Sequence, residues 1–286
     1  MSVVPFGARL AAAMDAHGPL CVGIDPHASL LEAWGLPDSP AGLREFSVRV
    51  LEAVGGRVAA VKPQAAFYER HGSAGLAVLE EVVAAARETG TLSIVDAKRG
   101  DIGSTMGAYA EAFLRDGSPL AGDALTVSPF LGFGSLAPAV ELATATGRGL
   151  FVLCLTSNPE GASVQHARRG AGAGTTSVAA SIAASAGELN AGAEPFGSVG
   201  LVVGATIGTA AQGTGTDLVG VNGPLLAPGV GAQGAGPDEL RAVFGDARRT
   251  VLASSSRGVL RAGPDVGALR AAALEAAGEA ARALRG

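Results

Sequence analysis

The alternation of short apolar segments with longer alanine-rich segments constrains the fold of this chain most strongly. Eight segments rich in Leu, Val and Ile are each followed by a stretch of helical character, the pattern typical of repeated βα units around a parallel sheet. Eight such units in 286 residues predict a single α/β domain over residues 1–286, a closed (β/α)8 TIM barrel. We predict strands at 20–25, 57–62, 91–98, 124–128, 150–156, 198–205, 224–228 and 250–254, and helices at 41–54, 73–89, 104–116, 135–146, 175–190, 206–213, 236–244 and 264–284.

Polar residues follow most of the predicted strands, which favours a closed barrel over an open doubly wound sheet. An open sheet binds its ligand at one switch point in the strand order, whereas a barrel gathers the carboxyl ends of all its strands on one face. We therefore expect one site at that face. Its candidate residues are Asp25, Lys62, Asp96 with Lys98, Ser128, and the segments 156–158, 228–233 and 254–257.

The composition restricts the class of protein. Hydrophobic residues make up 48% of the chain and the mean hydropathy is +0.35, but no uninterrupted apolar run approaches the ~18 residues that a membrane-spanning helix needs. The first residues lack the basic region, apolar core and cleavage site of a secretion signal. We therefore expect a soluble cytoplasmic protein that does not bind membranes.

The charge and the cysteines argue against two further kinds of site. A net charge of −5 disfavours nucleic-acid binding, because phosphate backbones require clustered Lys and Arg. Cys21 and Cys154 each lie within a predicted strand, and we expect buried free thiols rather than disulfide partners or metal ligands. Any anion site is therefore local, and no metal site is expected.

The segment 96–101, Asp-Ala-Lys-Arg-Gly-Asp, has three ionisable groups of interest at the exit of an apolar strand. Side chains two apart in a strand share a face, so Asp96 and Lys98 are expected to lie side by side. Gly100 allows the backbone to turn sharply, which carries Asp101 on a loop. Such a cluster is either a structural ion pair at the end of a strand or part of an active site.

Two loops add to the expected site. Residues 156–175 are longer than an ordinary connection, which predicts either a mobile lid or a tolerated surface insertion. The glycine-rich residues 227–236 precede a predicted helix, so their backbone N–H groups can cradle an anion. Arg257 follows the eighth strand, and barrels often bind phosphate with the loops after strands seven and eight. Together these features predict a phosphate site, the alternative being that Arg257 pairs with a surface carboxylate.

The chain has, in this order, Asp25, Lys62, Asp96-x-Lys98-x-x-Asp101, Pro228-Gly-Val-Gly-Ala-Gln233 and Arg257. With these motifs it resembles the orotidine 5′-phosphate decarboxylase family, and more narrowly the second bacterial branch of that family. The resemblance implies a lyase that converts orotidine 5′-monophosphate to UMP and carbon dioxide, the last step of de novo UMP biosynthesis, with neither metal nor organic cofactor. It covers residues 20–260 and rests on Lys62-Pro-Gln-Ala-Ala-Phe-Tyr-Glu69, Asp96-Ala-Lys-Arg-Gly-Asp-Ile102, Thr126-Val-Ser-Pro-Phe-Leu-Gly132, Leu155-Thr-Ser-Asn-Pro159 and Pro228-Gly-Val-Gly-Ala-Gln233.

The resemblance implies roles for the charged residues. Asp25 and Lys62 are expected to hold the ribose hydroxyls, with Lys62 also joining the charged network. Asp96 faces the carboxylate of the substrate, and Lys98 gives a proton to the ring carbon that loses that carboxylate. Asp101 is expected to reach into the site of a neighbouring subunit, which implies a homodimer.

The resemblance also implies the remaining contacts. Thr105 accompanies Asp101 across the dimer interface; it keeps its place although Gly103-Ser104 replace the Pro-Asn of the commoner branch. Ser135 is expected to contact the pyrimidine edge, with Ser128 as its competitor. The phosphate is assigned to Gly231, Gln233 and Arg257.

Three other functions are compatible with parts of the pattern. A magnesium-dependent sugar-phosphate decarboxylase of the same superfamily also uses D-x-K-x-x-D, but needs an extra acidic ligand near the second strand, where this chain has Lys62. A Schiff-base aldolase could use Lys62 or Lys98, but the flanking acids oppose the lowered pKa that such a lysine requires. A non-catalytic nucleotide-phosphate binding protein would keep Arg257 and lose the charged network, yet all four network positions are filled.

Overall fold

Eight parallel strands close into a barrel in the computed structural model, which describes residues 3–170, 175–230 and 235–285. Neighbouring strands follow the order β1-β2-β3-β4-β5-β8-β9-β10, and β10 pairs with β1. The predicted (β/α)8 TIM barrel is therefore confirmed. The barrel strands are β1 (Leu20–Ile24), β2 (Ala60–Pro63), β3 (Leu92–Arg99), β4 (Ala124–Val127), β5 (Gly149–Leu155), β8 (Val199–Val203), β9 (Leu225–Pro228) and β10 (Val251–Ser255); β6 (Arg168–Arg169) and β7 (Thr176–Ser177) form a separate antiparallel hairpin.

Helices surround the barrel, and each predicted helix has a counterpart. None of the helices in the described ranges is both long and apolar enough to span a bilayer. The sequence did not predict α1, nor the short helices α2, α4, α8 and α12 near strand ends. The helices are α1 (Phe6–His17), α2 (Ala28–Ala33), α3 (Pro40–Val54), α4 (Ala65–Glu69), α5 (Gly72–Glu88), α6 (Gly103–Leu114), α7 (Ala137–Thr146), α8 (Ala162–Gln165), α9 (Val178–Leu189), α10 (Ala210–Thr214), α11 (Pro237–Phe244), α12 (Arg257–Leu260) and α13 (Val266–Arg285).

Helix α1 covers the amino-terminal end of the barrel. The ring of Phe6 is fully buried and meets Phe151 edge-on, with 6.0 Å between ring centroids. Gly149 begins β5 at this point, and a Cβ there would lie 2.1 Å from the ring of Phe6. Only glycine therefore allows β5 and α1 to approach this closely. Because α1 fills this end, the opposite end of the barrel is left to form a site.

The apolar core has an inner layer within the barrel and an outer layer between strands and helices. Cys21, Ile94 and Leu252 belong to the inner layer, together with residues of α1. Val22 and Val95, one position further along their strands, belong to the outer layer, as the alternation of side chains in a strand requires. Cys21 and Cys154 are buried free thiols, as the sequence predicted.

Strand β3 is irregular where it reaches the carboxyl end of the barrel. Val95 pairs with Leu125 and Arg99 pairs with Val127, so three residues of β3 stand opposite one residue of β4. Within this bulge Lys98 has a φ of 48°, in the left-handed region that non-glycine residues seldom adopt. Strained backbone of this kind persists only where surrounding contacts hold it, and it is concentrated at functional sites.

The described part of the predicted lid contains regular structure. Residues 159–161 form a turn of 3-10 helix, followed by α8 and β6, while residues 171–174 lie outside the described residues. The side chain of Gln165 in α8 accepts a hydrogen bond from the Thr156 amide at 2.9 Å and donates one to the Thr156 hydroxyl at 2.6 Å. These bonds attach the segment to the end of β5. Its mobility stays a prediction.

Candidate active site

A cavity of about 810 Å³ opens at the carboxyl ends of the barrel strands. This is the face at which (β/α)8 barrels hold their active sites. Many of the residues that the sequence analysis selected line the cavity together: Asp25, Lys62, Asp96, Lys98, Arg257 and residues 156–158, 228–230 and 254–256.

The carboxylate of Asp96 lies at the centre of the polar part of the cavity and accepts four hydrogen bonds. The ammonium groups of Lys62 and Lys98 each lie 2.6 Å from it, on different oxygens. The Thr126 hydroxyl donates to the same oxygen as Lys98 at 2.8 Å, and the Gln64 amide donates to the other oxygen at 3.0 Å. Four is the usual acceptor capacity of a carboxylate. Asp96 is therefore fully occupied before any ligand binds.

The charges of this cluster stabilise one another. Burial alone raises the pKa of the Asp96 carboxyl, but the ammonium groups of Lys62 and Lys98 outweigh it and hold that pKa well below its usual range. Burial lowers the pKa of Lys62, yet Asp96 and then Asp25 outweigh it, so the net pKa of Lys62 is raised. A carboxylate between two ammonium groups is the stable arrangement in a site with little water.

The two lysines of the cluster differ in exposure. The side chain of Lys62 is 7% exposed and that of Asp96 is 8% exposed, whereas the side chain of Lys98 is 45% exposed. Lys62 and Asp96 thus form the buried base of the cluster. Lys98 presents its ammonium group to the cavity, where a ligand can meet it.

Asp25 offers an acceptor to a ligand. Its Oδ1 atom is buried and has no hydrogen-bond partner among the described residues. A buried carboxylate oxygen without a partner is costly, so a hydroxyl donor of a bound ligand would satisfy it. The residue lies immediately after β1 and lines the cavity.

Positive charge without an acidic partner lies on the β10 side of the cavity. Arg257 and Arg261 both line the cavity and are exposed. They are four residues apart across the helix α12, so they share a face. Neither forms an ion pair with a described residue. Gly231 and Gln233, the other two residues assigned to phosphate, lie outside the described residues.

Three residues selected from the sequence lie away from this cavity. Asp101 accepts a hydrogen bond from the Ile102 amide at 2.8 Å, and Thr105 is exposed in the first turn of α6. The hydroxyl of Ser135 donates to the Gly132 carbonyl at 2.7 Å. None of the three lines the cavity, and neither does Ser128.

The sequence analysis missed the roles of two polar residues that line the cavity. Gln64 and Thr126 stood within quoted motifs but received no role, although both contact Asp96. Thr156 and Ser157, by contrast, were selected as part of the segment 156–158, because they follow a barrel strand. Both line the cavity, whereas Ser128 and Ser135 do not.

The distribution of lysine was another signal in the sequence. Lys62 and Lys98 are the only lysines of the chain, and every other basic residue among its 21 lysines and arginines is an arginine. An arginine forms ion pairs with carboxylates at least as well as a lysine does. Both lysine side chains of the chain therefore lie in the one cluster around Asp96.

The sequence and the fold both have close relatives. Residues 18–272 match the Orotidine 5′-phosphate decarboxylase / HUMPS family. The orotidine 5′-phosphate decarboxylase of Streptomyces coelicolor is 63% identical over 269 residues, 94% of this chain and 94% of that protein. The orotidine 5′-phosphate decarboxylase of Salinispora arenicola is 58% identical over 281 residues, 98% of this chain and 99% of that protein.

Solved structures agree with these sequence matches. A crystal structure of a protein from Streptomyces avermitilis superimposes with a TM-score of 0.94 at 62% identity, covering 100% of this chain and 98% of the other. The OMP decarboxylase of Leishmania donovani superimposes with a TM-score of 0.76 at 30% identity, covering 99% of this chain and 100% of the other.

Proposed function

The chain belongs to the orotidine 5′-phosphate decarboxylase family, and on that premise we propose how its cavity converts orotidine 5′-monophosphate to UMP and carbon dioxide. The reaction is that of a carbon–carbon lyase and is the final step of UMP biosynthesis. The observation that supports the assignment best is the cluster of Lys62, Asp96 and Lys98 at the base of the cavity.

Charge placement is the central requirement of this reaction. The bond between pyrimidine C6 and the carboxylate breaks, and its electron pair stays on C6, where no adjacent carbonyl accepts it. The Lys98 ammonium group, held in the cavity by Asp96, stabilises that pair without reorganising during the reaction. Lys98 then gives a proton to C6, and its neutral amine takes a new proton from water. Carbon dioxide leaves uncharged.

Asp96 and Lys62 support this role. Asp96 keeps the Lys98 ammonium group oriented, and it faces the carboxylate of the substrate. Because two of its four hydrogen-bond donors are ammonium groups, Asp96 stays ionised beside the substrate carboxylate. Lys62 neutralises the buried carboxylate from the other side, so the pair is stable in a partly dry site.

The remaining cavity suits a ribose 5′-phosphate. Asp25 and Lys62 bind the ribose hydroxyls, and the unpartnered oxygen of Asp25 is the acceptor that such a hydroxyl needs. Arg257 binds the phosphate with its planar fork, assisted by Gln233 and the backbone of Gly231. Binding energy from this remote group can be used to close residues 156–175 as a lid over a single catalytic domain. The pyrimidine-edge role of Ser135 stays a prediction.

The enzyme is proposed to act as a homodimer in the cytoplasm. Asp101 and Thr105 do not line the cavity of their own subunit, which is compatible with their completing the site of a second copy. Exposed apolar side chains lie on the same side of the barrel, at Ile102, Phe130 and Leu131. Their burial between two subunits would remove apolar surface from water.

A spectrophotometric assay with orotidine 5′-monophosphate in the presence of EDTA tests the proposal. We expect loss of the substrate absorbance at an undiminished rate, because the mechanism uses no metal or organic cofactor. Lys98→Ala should lose turnover by several orders of magnitude while still binding UMP. A wild-type protein that binds UMP tightly and leaves the substrate intact would instead be a binding protein. Activity abolished by EDTA would indicate a magnesium-dependent decarboxylase.

A further inference from the structure

The bulge in β3 interrupts the regular backbone pairing with β4 next to Lys98. Between the pairs Val95–Leu125 and Arg99–Val127, residues 96–98 of β3 face Thr126 alone. A bulge leaves backbone groups of the longer strand without partners in the sheet. A buried N–H group in such a place must find another acceptor or destabilise the fold.

The side chain of Thr126 supplies that acceptor. The Lys98 amide donates to the Thr126 hydroxyl at 2.9 Å. The same hydroxyl donates its own proton to Asp96 Oδ1 at 2.8 Å, the oxygen that also accepts the Lys98 ammonium at 2.6 Å. Thr126 is 1% exposed. One buried hydroxyl therefore links the backbone of Lys98 to the carboxylate that orients its side chain.

We propose that Thr126 is a positioning residue, whose hydroxyl holds Lys98 in its left-handed backbone conformation and fixes Asp96 so that the ammonium group points at the reacting carbon. This inference rests on the proposed function. In this role Thr126 does not contact the reacting atoms. It acts on them through Lys98 and Asp96.

The hydroxyl carries this role, and the shape of the side chain does not. Valine has the same shape as threonine and can neither accept from Lys98 nor donate to Asp96, whereas serine keeps both hydrogen bonds. We expect Thr126→Val to lower kcat by about 10- to 100-fold, the factor for one lost hydrogen bond to a charged group. Its Kd for UMP should stay within about threefold of the wild-type value. Thr126→Ser should keep kcat within about threefold.

A control separates this role from the general cost of removing a buried hydroxyl. Thr214 is a buried residue of α10 that does not line the cavity. Its hydroxyl donates to the Ala210 carbonyl at 2.7 Å. Thr214→Val should lower the melting temperature without changing kcat. If the valine variant fails to fold, Thr126→Ala replaces it, because alanine also lacks the hydroxyl and is smaller than valine. The expected changes in kcat and in the Kd for UMP are the same.

A second readout does not depend on activity. Because Lys62 and Lys98 are the only lysines, protein labelled with ¹³C at lysine Cε gives one NMR signal for each of them. Thr126→Val should move or broaden the signal of Lys98 more than that of Lys62, and Thr126→Ser should restore it.

Two results would overturn the inference. One is a Thr126→Val enzyme with the wild-type kcat and an unmoved Lys98 signal. The other is a Thr126→Ser enzyme as slow as Thr126→Val, because the methyl group would then matter and the hydroxyl would not. A wild-type protein without decarboxylase activity refutes the proposed function instead, and the NMR comparison still tests the link between Thr126 and Lys98.

Discussion

Replacing Lys98 by arginine separates the positive charge of this residue from its ability to give a proton. The ammonium group lies 2.6 Å from Asp96 and the side chain is 45% exposed, so the longer guanidinium can extend toward the cavity and keep the ion pair. The charge of the cluster is then unchanged. The group next to C6 is a much weaker acid.

The expected loss follows from the acidity of the two groups. A guanidinium is a weaker acid than an alkylammonium by about 2 to 3 pKa units, which corresponds to about 3 to 4 kcal/mol. If the proton transfer to C6 determines the rate, Lys98→Arg should lower kcat by about 100- to 1,000-fold. The Kd for UMP should change by less than about fivefold, because one cation replaces another.

The assay is the loss of orotidine 5′-monophosphate absorbance, with UMP binding measured by calorimetry. Arg44→Lys is a matched control, since it makes the reverse exchange in an exposed ion pair with Glu81 and should leave both quantities unchanged. A Lys98→Arg enzyme with kcat within about threefold of the wild-type value would refute the reasoning. Charge alone would then account for the catalytic effect of Lys98.

Three further predictions concern the phosphate, the dimer and the charged cluster. Arg257→Ala should raise the Kd of UMP by about tenfold or more and leave that of uridine unchanged; equal losses would contradict the phosphate assignment. Mixing inactive Asp101→Ala and Lys98→Ala dimers should restore activity, because each hybrid has one complete site; subunit exchange without recovery would exclude a shared site. Asp96→Asn should lower the free energy of unfolding by about 3 to 5 kcal/mol at pH 7. Since the folded-state pKa of Asp96 is depressed, this difference should be complete above pH ~4 and shrink as the pH falls further; urea titrations at several pH values measure it.

Most of the fold could be predicted because its signals are local. The βα alternation identified all eight barrel strands, and the errors lie at their boundaries. The predicted strand at 57–62 begins at Ala60, because residues 57–59 still belong to the turn after α3. The predicted helix at 175–190 begins at Val178, because Thr176 and Ser177 pair in the hairpin and the Ser177 hydroxyl caps the helix at 2.9 Å from the Ala180 amide.

The part of the site that could not be predicted depends on contacts between strands. The spacing of Asp96 and Lys98 correctly indicated that they share a face. It did not indicate the bulge at Lys98, because a change of register is a property of β3 and β4 together. For the same reason no pattern along the chain indicated that Thr126 and Gln64 complete the hydrogen bonds of Asp96. Ser135 was selected by a motif alone, and its hydroxyl bonds to its own turn.

A crystal structure of the enzyme with bound UMP tests the central claim most directly. The account predicts that the nitrogen of the Lys98 ammonium group lies about 3 to 3.5 Å from pyrimidine C6, the separation of reacting atoms, and still pairs with Asp96. A structure in which the Lys98 side chain turns away from the nucleotide, or another donor occupies that place, would contradict it.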